Sequence, residues 1–328
     1  MSYQVAGTEC GCGCATRIYR YYKKYCINLI FCYYCSNFYN GGDGMRQTAE
    51  PARSGSHSVT FLKALAEEGR TVFTTSEARR IAARSGIPEG YVTNLLMILV
   101  RNGWLTRLRR GIYARSGPAL GDIQIHSFSI ATHLVVPSAI SHWSALHHHG
   151  LTEQVPRVVT AFTPKKVVTP SMRRGRHAIG GKRHAWVIEG VRYEYITVKE
   201  ENFFGIEEVW VDEFSRVPIT DRERTVLEVF ISSRMFGGMG EALGIIENHL
   251  PSLAVDKLVE YACRYGKISV AKRLGWALER AGISESVLEP LLEMPATGYH
   301  ALDPSRPRRG ACDKRWMIQV NLGKDRAS

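Results

Sequence analysis

An α+β fold is predicted for this chain: an N-terminal winged helix-turn-helix, followed by a mixed α/β domain with a helical C-terminal part. Three observations predict it. Residues 57–117 show three helical periodicities, a glycine-containing turn between the second and third, and a basic hairpin after them. Beyond residue 123, short apolar runs at strand spacing alternate with helical stretches. From residue 220 to residue 292 the periodicity is helical almost throughout.

A chain of 328 residues suggests about two domains. Its 45% hydrophobic and 23% charged content excludes wholesale disorder, collagen and coiled-coil arrays. No stretch reaches the roughly 18 consecutive apolar residues of a spanning helix, which excludes an integral membrane protein of that kind. Charge is less ordinary. Lys plus Arg is 43 against 31 for Asp plus Glu, and a net +12 favours a polyanionic partner, nucleic acid above all.

Residues 1–56 form an atypical extension and linker. Six of the eight cysteines (Cys10, Cys12, Cys14, Cys26, Cys32, Cys35) and eight of the fifteen tyrosines fall before residue 40. The Cys10-x-Cys-x-Cys14 and Cys32-x-x-Cys35 groups could hold zinc, but no paired CxxC spacing is present, so no metal is expected. A start assigned too far upstream, with the natural chain beginning at Met45, is the expectation. Only Cys263 and Cys312 lie in the rest of the chain, which fits a reducing cytosol and a cytoplasmic protein.

The first helix of the winged domain is expected from Ser58, with Val59, Leu62, Leu65 and Ala66 at helical spacing and Gly69 as its stop. Thr74-x-x-Glu77 is a capping-box signature that opens a second helix, which carries Arg79 and closes near Ser85. After the Gly86-Ile-Pro88 turn, a third helix runs from about Glu89 to Arg101, with Gly103 past its end. Its buried stripe is Val92, Leu95, Leu96, Leu99 and Val100, which leaves Tyr91, Thr93, Asn94, Met97 and Arg101 outside. A hairpin of Trp104–Leu108 and Ile112–Ala114 then turns at Arg109-Arg110-Gly111.

Between His57 and Gly117, one lysine and nine arginines oppose four glutamates, so half of the chain's surplus charge sits in less than a fifth of it. Arg107, Arg109 and Arg110 crowd the hairpin tip, where cations meet phosphate. Thr93 and Asn94 stand early in the third helix, where base edges are read. The candidate DNA-binding set is therefore Arg79, Tyr91, Thr93, Asn94, Arg101, Arg107, Arg109 and Arg110. A winged helix can instead serve as a protein-interaction module.

The second domain is placed at 123–322. Pro137–His149 reads as a helix closed by Gly150, holding His142, His147, His148 and His149 without a metal-ligand spacing. Arg157–Thr163 reads as a strand, and Trp186–Glu189 with Val191–Val198 as a hairpin. From Lys165 to His184 lie seven cations and no acid: either a solvated loop or a second nucleic-acid contact. Thr220-Asp-Arg-Glu223 reads as a second capping box, before helices at about 241–250, 255–265, 269–281 and 284–292. Trp316–Val320 reads as a closing strand. No Walker A loop, GxGxxG, GxSxG or HExxH motif occurs, so no enzyme and no cofactor are expected. The rival enzyme reading is a magnesium nuclease built on Asp212, Glu213, Asp221 and Glu223.

These segments carry a resemblance. The winged helix, Ser138-Ala-Ile-Ser-His-Trp-Ser-Ala-Leu146 with Gly150-Leu151, Val158–Thr163, Phe204-Gly-Ile-Glu207, Asp221-Arg-Glu-Arg-Thr225, the Lys267–Gly275 segment, Leu302-Asp-Pro304 and Arg315-Trp316 occur in that order. Together they resemble the AbiEi-type antitoxins of bacterial type IV toxin–antitoxin (abortive-infection) systems, over residues 57–322. The resemblance implies a cytoplasmic repressor that binds inverted repeats in its own promoter as double-stranded DNA. It also implies a C-terminal domain that counteracts a cognate nucleotidyltransferase toxin, functionally and without a required stable complex. Lys267, Lys272 and Arg273 are the best-placed cations for that second task. A stand-alone winged-helix regulator with a ligand- or partner-sensing C-terminal domain is the alternative.

Overall fold

In a computed structural model of the protein, residues 53–116, 125–169, 172 and 185–322 are described, with side chains from residue 57 onward. The Cys/Tyr-rich segment, its cysteine spacing and most of the basic stretch after Lys166 lie outside the described residues. What is described is a mixed α+β structure with three separate sheets.

The N-terminal unit runs α1 (Arg53–Glu67), β1 (Val72–Thr74), α2 (Thr75–Arg84), α3 (Glu89–Arg101), β2 (Leu105–Arg109) and β3 (Ile112–Arg115). The first helix starts earlier than the periodicity suggests, and Val59 and Ala66 are exposed; Phe61, Leu62 and Leu65 take the core face. The capping box at Thr74 forms as expected: Glu77 N donates to Thr74 Oγ1 at 3.2 Å, and Thr74 N donates to Glu77 Oε2 at 2.7 Å. Gly103 takes φ +75 just past α3, the left-handed position that a side chain would strain.

Sequence reasoning missed β1. It pairs antiparallel with β3, so the expected two-stranded ribbon is a three-stranded sheet of order β1-β3-β2. Both of its faces are covered. Phe73 and Leu105 pack on the helices with Phe61, Ile81 and Leu99. Their strand neighbours Val72, Leu108, Ile112 and Ala114 pack the opposite way, against Ile130 and Leu134 of α4 (Ser127–Leu134). That helix, also not foreseen, thus joins the N-terminal sheet to the rest of the chain.

The second unit is built on a six-stranded mixed sheet, order β6-β7-β5-β4-β9-β8. Its strands are β4 (Ala139–Ile140), β5 (Val158–Thr163), β6 (Ala185–Ile188), β7 (Val191–Thr197), β8 (Ile206–Trp210) and β9 (Arg216–Thr220). The helix expected over Pro137–His149 is instead the short β4 followed by α5 (His142–His148). A helical layer completes the unit: α6 (Arg222–Ile231), α7 (Met239–His249), α8 (Val255–Tyr265), α9 (Ile268–Arg280) and α10 (Glu285–Leu292). Their shared core includes Phe230, Leu258, Leu274 and Leu288, and it is closed by Trp316. Gly275 is obligatory at that closure, because a Cβ there would stand 2.0 Å from Cζ3 of Trp316.

The second capping box does not form. Asp221 is the N-cap of α6, accepting from Arg224 N at 2.8 Å, while Thr220 ends β9. Glu223 faces the other way and accepts from Ala254 N at 3.0 Å. A Thr-x-x-Glu spacing and an Asp N-cap read alike in sequence, and here the shorter acidic side chain sits at the cap position.

Candidate nucleic-acid interface

The exposed face of α3 follows from its apolar spacing. Val92, Leu95, Leu96 and Leu99 turn into the helical core, which leaves Thr93, Asn94, Met97 and Arg101 exposed. Tyr91 departs from expectation: it is half-buried against that core, its ring 5.6 Å from that of His57 and its hydroxyl buried.

The arginines fall into two groups. Arg70 reaches Glu77 at 2.6 Å, Arg84 reaches Glu68 at 3.2 Å, and Arg80 reaches Glu68 at 3.7 Å. Arg79 lies 4.0 Å from Glu89. Arg115 is buried, and desolvation pulls its pKa down. Arg101, Arg107, Arg109 and Arg110 are exposed, and among the described residues none has a carboxylate within ion-pair reach. The positive surplus is therefore presented at the end of α3 and on the β2–β3 turn. A bulge between Arg107 and Arg109 interrupts the pairing with β3, so Leu108 dives into the α4 core while its neighbours stay outside.

The other candidate residues separate. Lys267 is exposed at the start of α9. Lys272 and Arg273, named with Lys267 as the best-placed cations for the antitoxin task, are 3% and 8% exposed. Lys272 Nζ donates to Leu291 O at 3.0 Å and to Leu292 O at 2.8 Å, capping the end of α10; Arg273 Nε donates to Ala301 O at 2.9 Å. Desolvation lowers both pKa values. These two side chains hold the helical layer together and are not available to a partner. Lys272→Met is accordingly expected to destabilise the protein by about 2–3 kcal/mol in urea titration, since two buried carbonyls lose a charged donor. Lys267→Ala should stay within about 0.5 kcal/mol.

Three of the four carboxylates considered for a nuclease have partners elsewhere, and the fourth, Glu213, is exposed. Asp212 Oδ1 accepts from Phe214 N at 2.9 Å in the β8–β9 turn. Lys257 Nζ stands 3.1 Å from both Asp221 Oδ2 and Glu223 Oε2, and Tyr261 donates to Asp221 Oδ2 at 2.8 Å. Those contacts tie α6 to α8. Nor do the histidines gather: His142 is buried with Nδ1 2.5 Å from Glu228 Oε2, whereas His149 Nε2 lies 2.7 Å from Thr220 O. Among the described residues, no group of three or more His, Cys, Asp or Glu is arranged to hold a metal ion.

Comparison with known proteins bears on the same segment. Residues 61–116, from Phe61 in α1 to Ser116 just after β3, match the family model described as a transcriptional regulator, AbiEi antitoxin. This segment is similar to the AbiEi antitoxins. The matched segment includes Arg101, Arg107, Arg109 and Arg110. The match supports a regulator or antitoxin role and the resemblance read from the sequence. No curated protein matches the chain. Among solved structures, the crystal structure of the RV2827C protein from Mycobacterium tuberculosis is similar, with a TM-score of 0.53 at 14% identity. The alignment covers 80% of this chain and 90% of that one, which extends the likeness of fold well beyond the AbiEi segment. No helix among the described residues is long and apolar enough to cross a membrane.

Proposed function

We propose that the chain is a DNA-binding antitoxin and autorepressor of a type IV toxin–antitoxin system, acting in the cytoplasm. Residues 57–117 serve as its winged helix-turn-helix, and residues 123–322 counteract a cognate nucleotidyltransferase toxin without chemistry of their own. The observation that carries this reading is that the segment matching the AbiEi model holds four exposed arginines which, among the described residues, have no carboxylate within ion-pair reach. In it, α3 enters the major groove with Thr93 and Asn94 at base edges, while Arg101, Arg107, Arg109 and Arg110 neutralise phosphates. Arg79, beside Glu89, stands at the margin of this surface, and Tyr91 supports α3 from within.

The reading is tested with the full chain, its own promoter and a random duplex at several salt concentrations. Asn94→Ala should erode discrimination between the two by about 1–3 kcal/mol and leave the salt slope unchanged. Protection from the toxin, assayed by co-expression, should survive that substitution. Absence of any duplex binding by the wild-type chain would overturn the DNA half of the proposal. Toxicity undiminished by the wild-type chain would overturn the antitoxin half.

A further inference from the structure

We propose that the second unit holds a small-molecule site of its own, a groove that takes an organic carboxylate bearing a hydroxyl, with His142 at its deep end and Lys199 at its mouth. The inference is independent of the DNA-binding reading.

A groove of about 290 Å³ lies between β7, the turn that follows it, and the helices α5, α6 and α8. That is the lower end of the range for ligand pockets, so a small molecule fills it. Ile196, Val198 and Ile231 give it apolar walls, and its polar groups are graded by depth. His142 and Glu228 are buried, Asn202 and Tyr265 are half-buried, and Lys199 is exposed. His142 Nδ1 stands 2.5 Å from Glu228 Oε2, with Ser141 Oγ beside it at 2.9 Å. An ionised carboxylate can only accept, so Nδ1 carries the proton and Nε2 is left as an acceptor. Among the described residues Nε2 has no hydrogen-bond partner, and neither has the Asn202 side-chain amide or the Tyr265 hydroxyl. Lys199 Nζ reaches only Glu201, at 3.1 Å and in full contact with water, a pairing that an incoming anion displaces at little cost.

Stability alone does not account for this corner. Glu228 Oε1 stands 3.1 Å from Arg224 Nη2, while Arg224 Nε and Nη1 are buried without a hydrogen-bond partner. A buried charged set of that kind stabilises a fold no better than well-packed apolar side chains of similar volume. His142 also takes φ +54, a left-handed backbone that a β-carbon disfavours. Strained backbone and buried charge in one place, beside a groove, are the marks of a binding site. The ligand's chemistry follows from the order of the groups. Glu228 is already committed to His142 and Arg224, so the charge left for a ligand is the Lys199 ammonium, which calls for one negative charge at the mouth. Asn202 and Tyr265 add neutral donors to the same anion, since burial pushes the Tyr265 hydroxyl up and keeps it protonated. At the deep end the open Nε2 accepts from a hydroxyl, and the apolar walls suit a ring or short hydrocarbon between the two polar ends.

The test uses the full-length protein and 4-hydroxybenzoate as probe, with benzoate lacking the hydroxyl and 4-hydroxybenzamide lacking the charge. Calorimetry should show 4-hydroxybenzoate bound, and each of the other two bound about tenfold more weakly. Lys199→Gln should lose about tenfold on both acids and nothing on the amide. Its melting temperature should match wild type, because the side chain is exposed. His142→Asn removes the acceptor while asparagine tolerates the left-handed backbone, and it should bind the two acids alike. If the folded wild-type chain binds none of the three at millimolar concentration, the inference fails. It also fails if Lys199→Gln weakens acid and amide equally, or if His142→Asn, still folded, prefers 4-hydroxybenzoate over benzoate as wild type does. Should His142→Asn not fold, the Lys199→Gln comparison decides alone.

Discussion

Alanine at Arg107, Arg109 and Arg110 together is expected to weaken binding to operator and random duplex alike, by roughly a hundredfold or more near 0.1 M salt. The same variant should lower the salt slope by about 2.7, because three phosphate contacts release that many fewer counterions. Discrimination between the two duplexes should change little, since a flexible cation on a turn neutralises charge without reading a base edge. All three side chains are exposed and among the described residues engage no carboxylate, so the fold should not suffer. Fluorescence anisotropy across a salt series, with thermal melting alongside, measures each quantity. Loss of specificity without loss of overall affinity would show that the turn lies in a groove and not on the backbone. No change at all would make the N-terminal unit a protein-interaction module.

Glu228→Ala should be the most damaging single substitution outside the interface, at about 3–5 kcal/mol. Glu228 is 2% exposed, and its Oε1 stands 3.1 Å from Nη2 of Arg224, itself 1% exposed and ringed by Phe162, Phe204 and Tyr265. Removing the carboxylate strands a guanidinium in an apolar shell. Replacing both partners, as Arg224→Met with Glu228→Leu, should recover most of the loss, which identifies the uncompensated charge as the cause. The acid limb gives a second check. Burial pushes the Glu228 carboxyl up, but His142 and Arg224 outweigh it and hold the group below its ordinary value. Its stabilisation is then complete above the ordinary carboxylate range and is lost as pH falls through the lower native value. Urea midpoints measured down the acid limb should fall more steeply for wild type than for Glu228→Gln.

What the sequence discloses here depends on how local the cause is. The Thr74–Glu77 box, the apolar stripe of α3 and the bounds of α8 are written within a few turns of chain, and they appear where periodicity places them. Lys272 and Arg273 mislead because a helix pattern alone does not say that a second layer covers their side: α10 and the Ala301 carbonyl arrive from far along the chain. Tyr91 errs for a similar reason, as a long aromatic side chain at the edge of a stripe folds back onto the core. The β1 strand had a legible trace. Val72-Phe73 places two apolar residues side by side where a one-faced strand would show only one, and Leu105 and Leu108 fall on opposite faces of their strand. Such runs signal a sheet covered on both sides, and a three-residue strand is too short for alternation to declare it.

The sheet packed between two sets of helices also governs how the protein comes apart. Cutting the chain after β3 would bare Val72, Leu108, Ile112 and Ala114 to water on one face of a short sheet, so the N-terminal unit is not a detachable cassette. Its melting is bound up with that of α4, and through α4 with the six-stranded sheet. A ligand that grips the arginine turn therefore draws on the cooperativity of the whole molecule, and occupancy at one end registers as thermal resistance at the other.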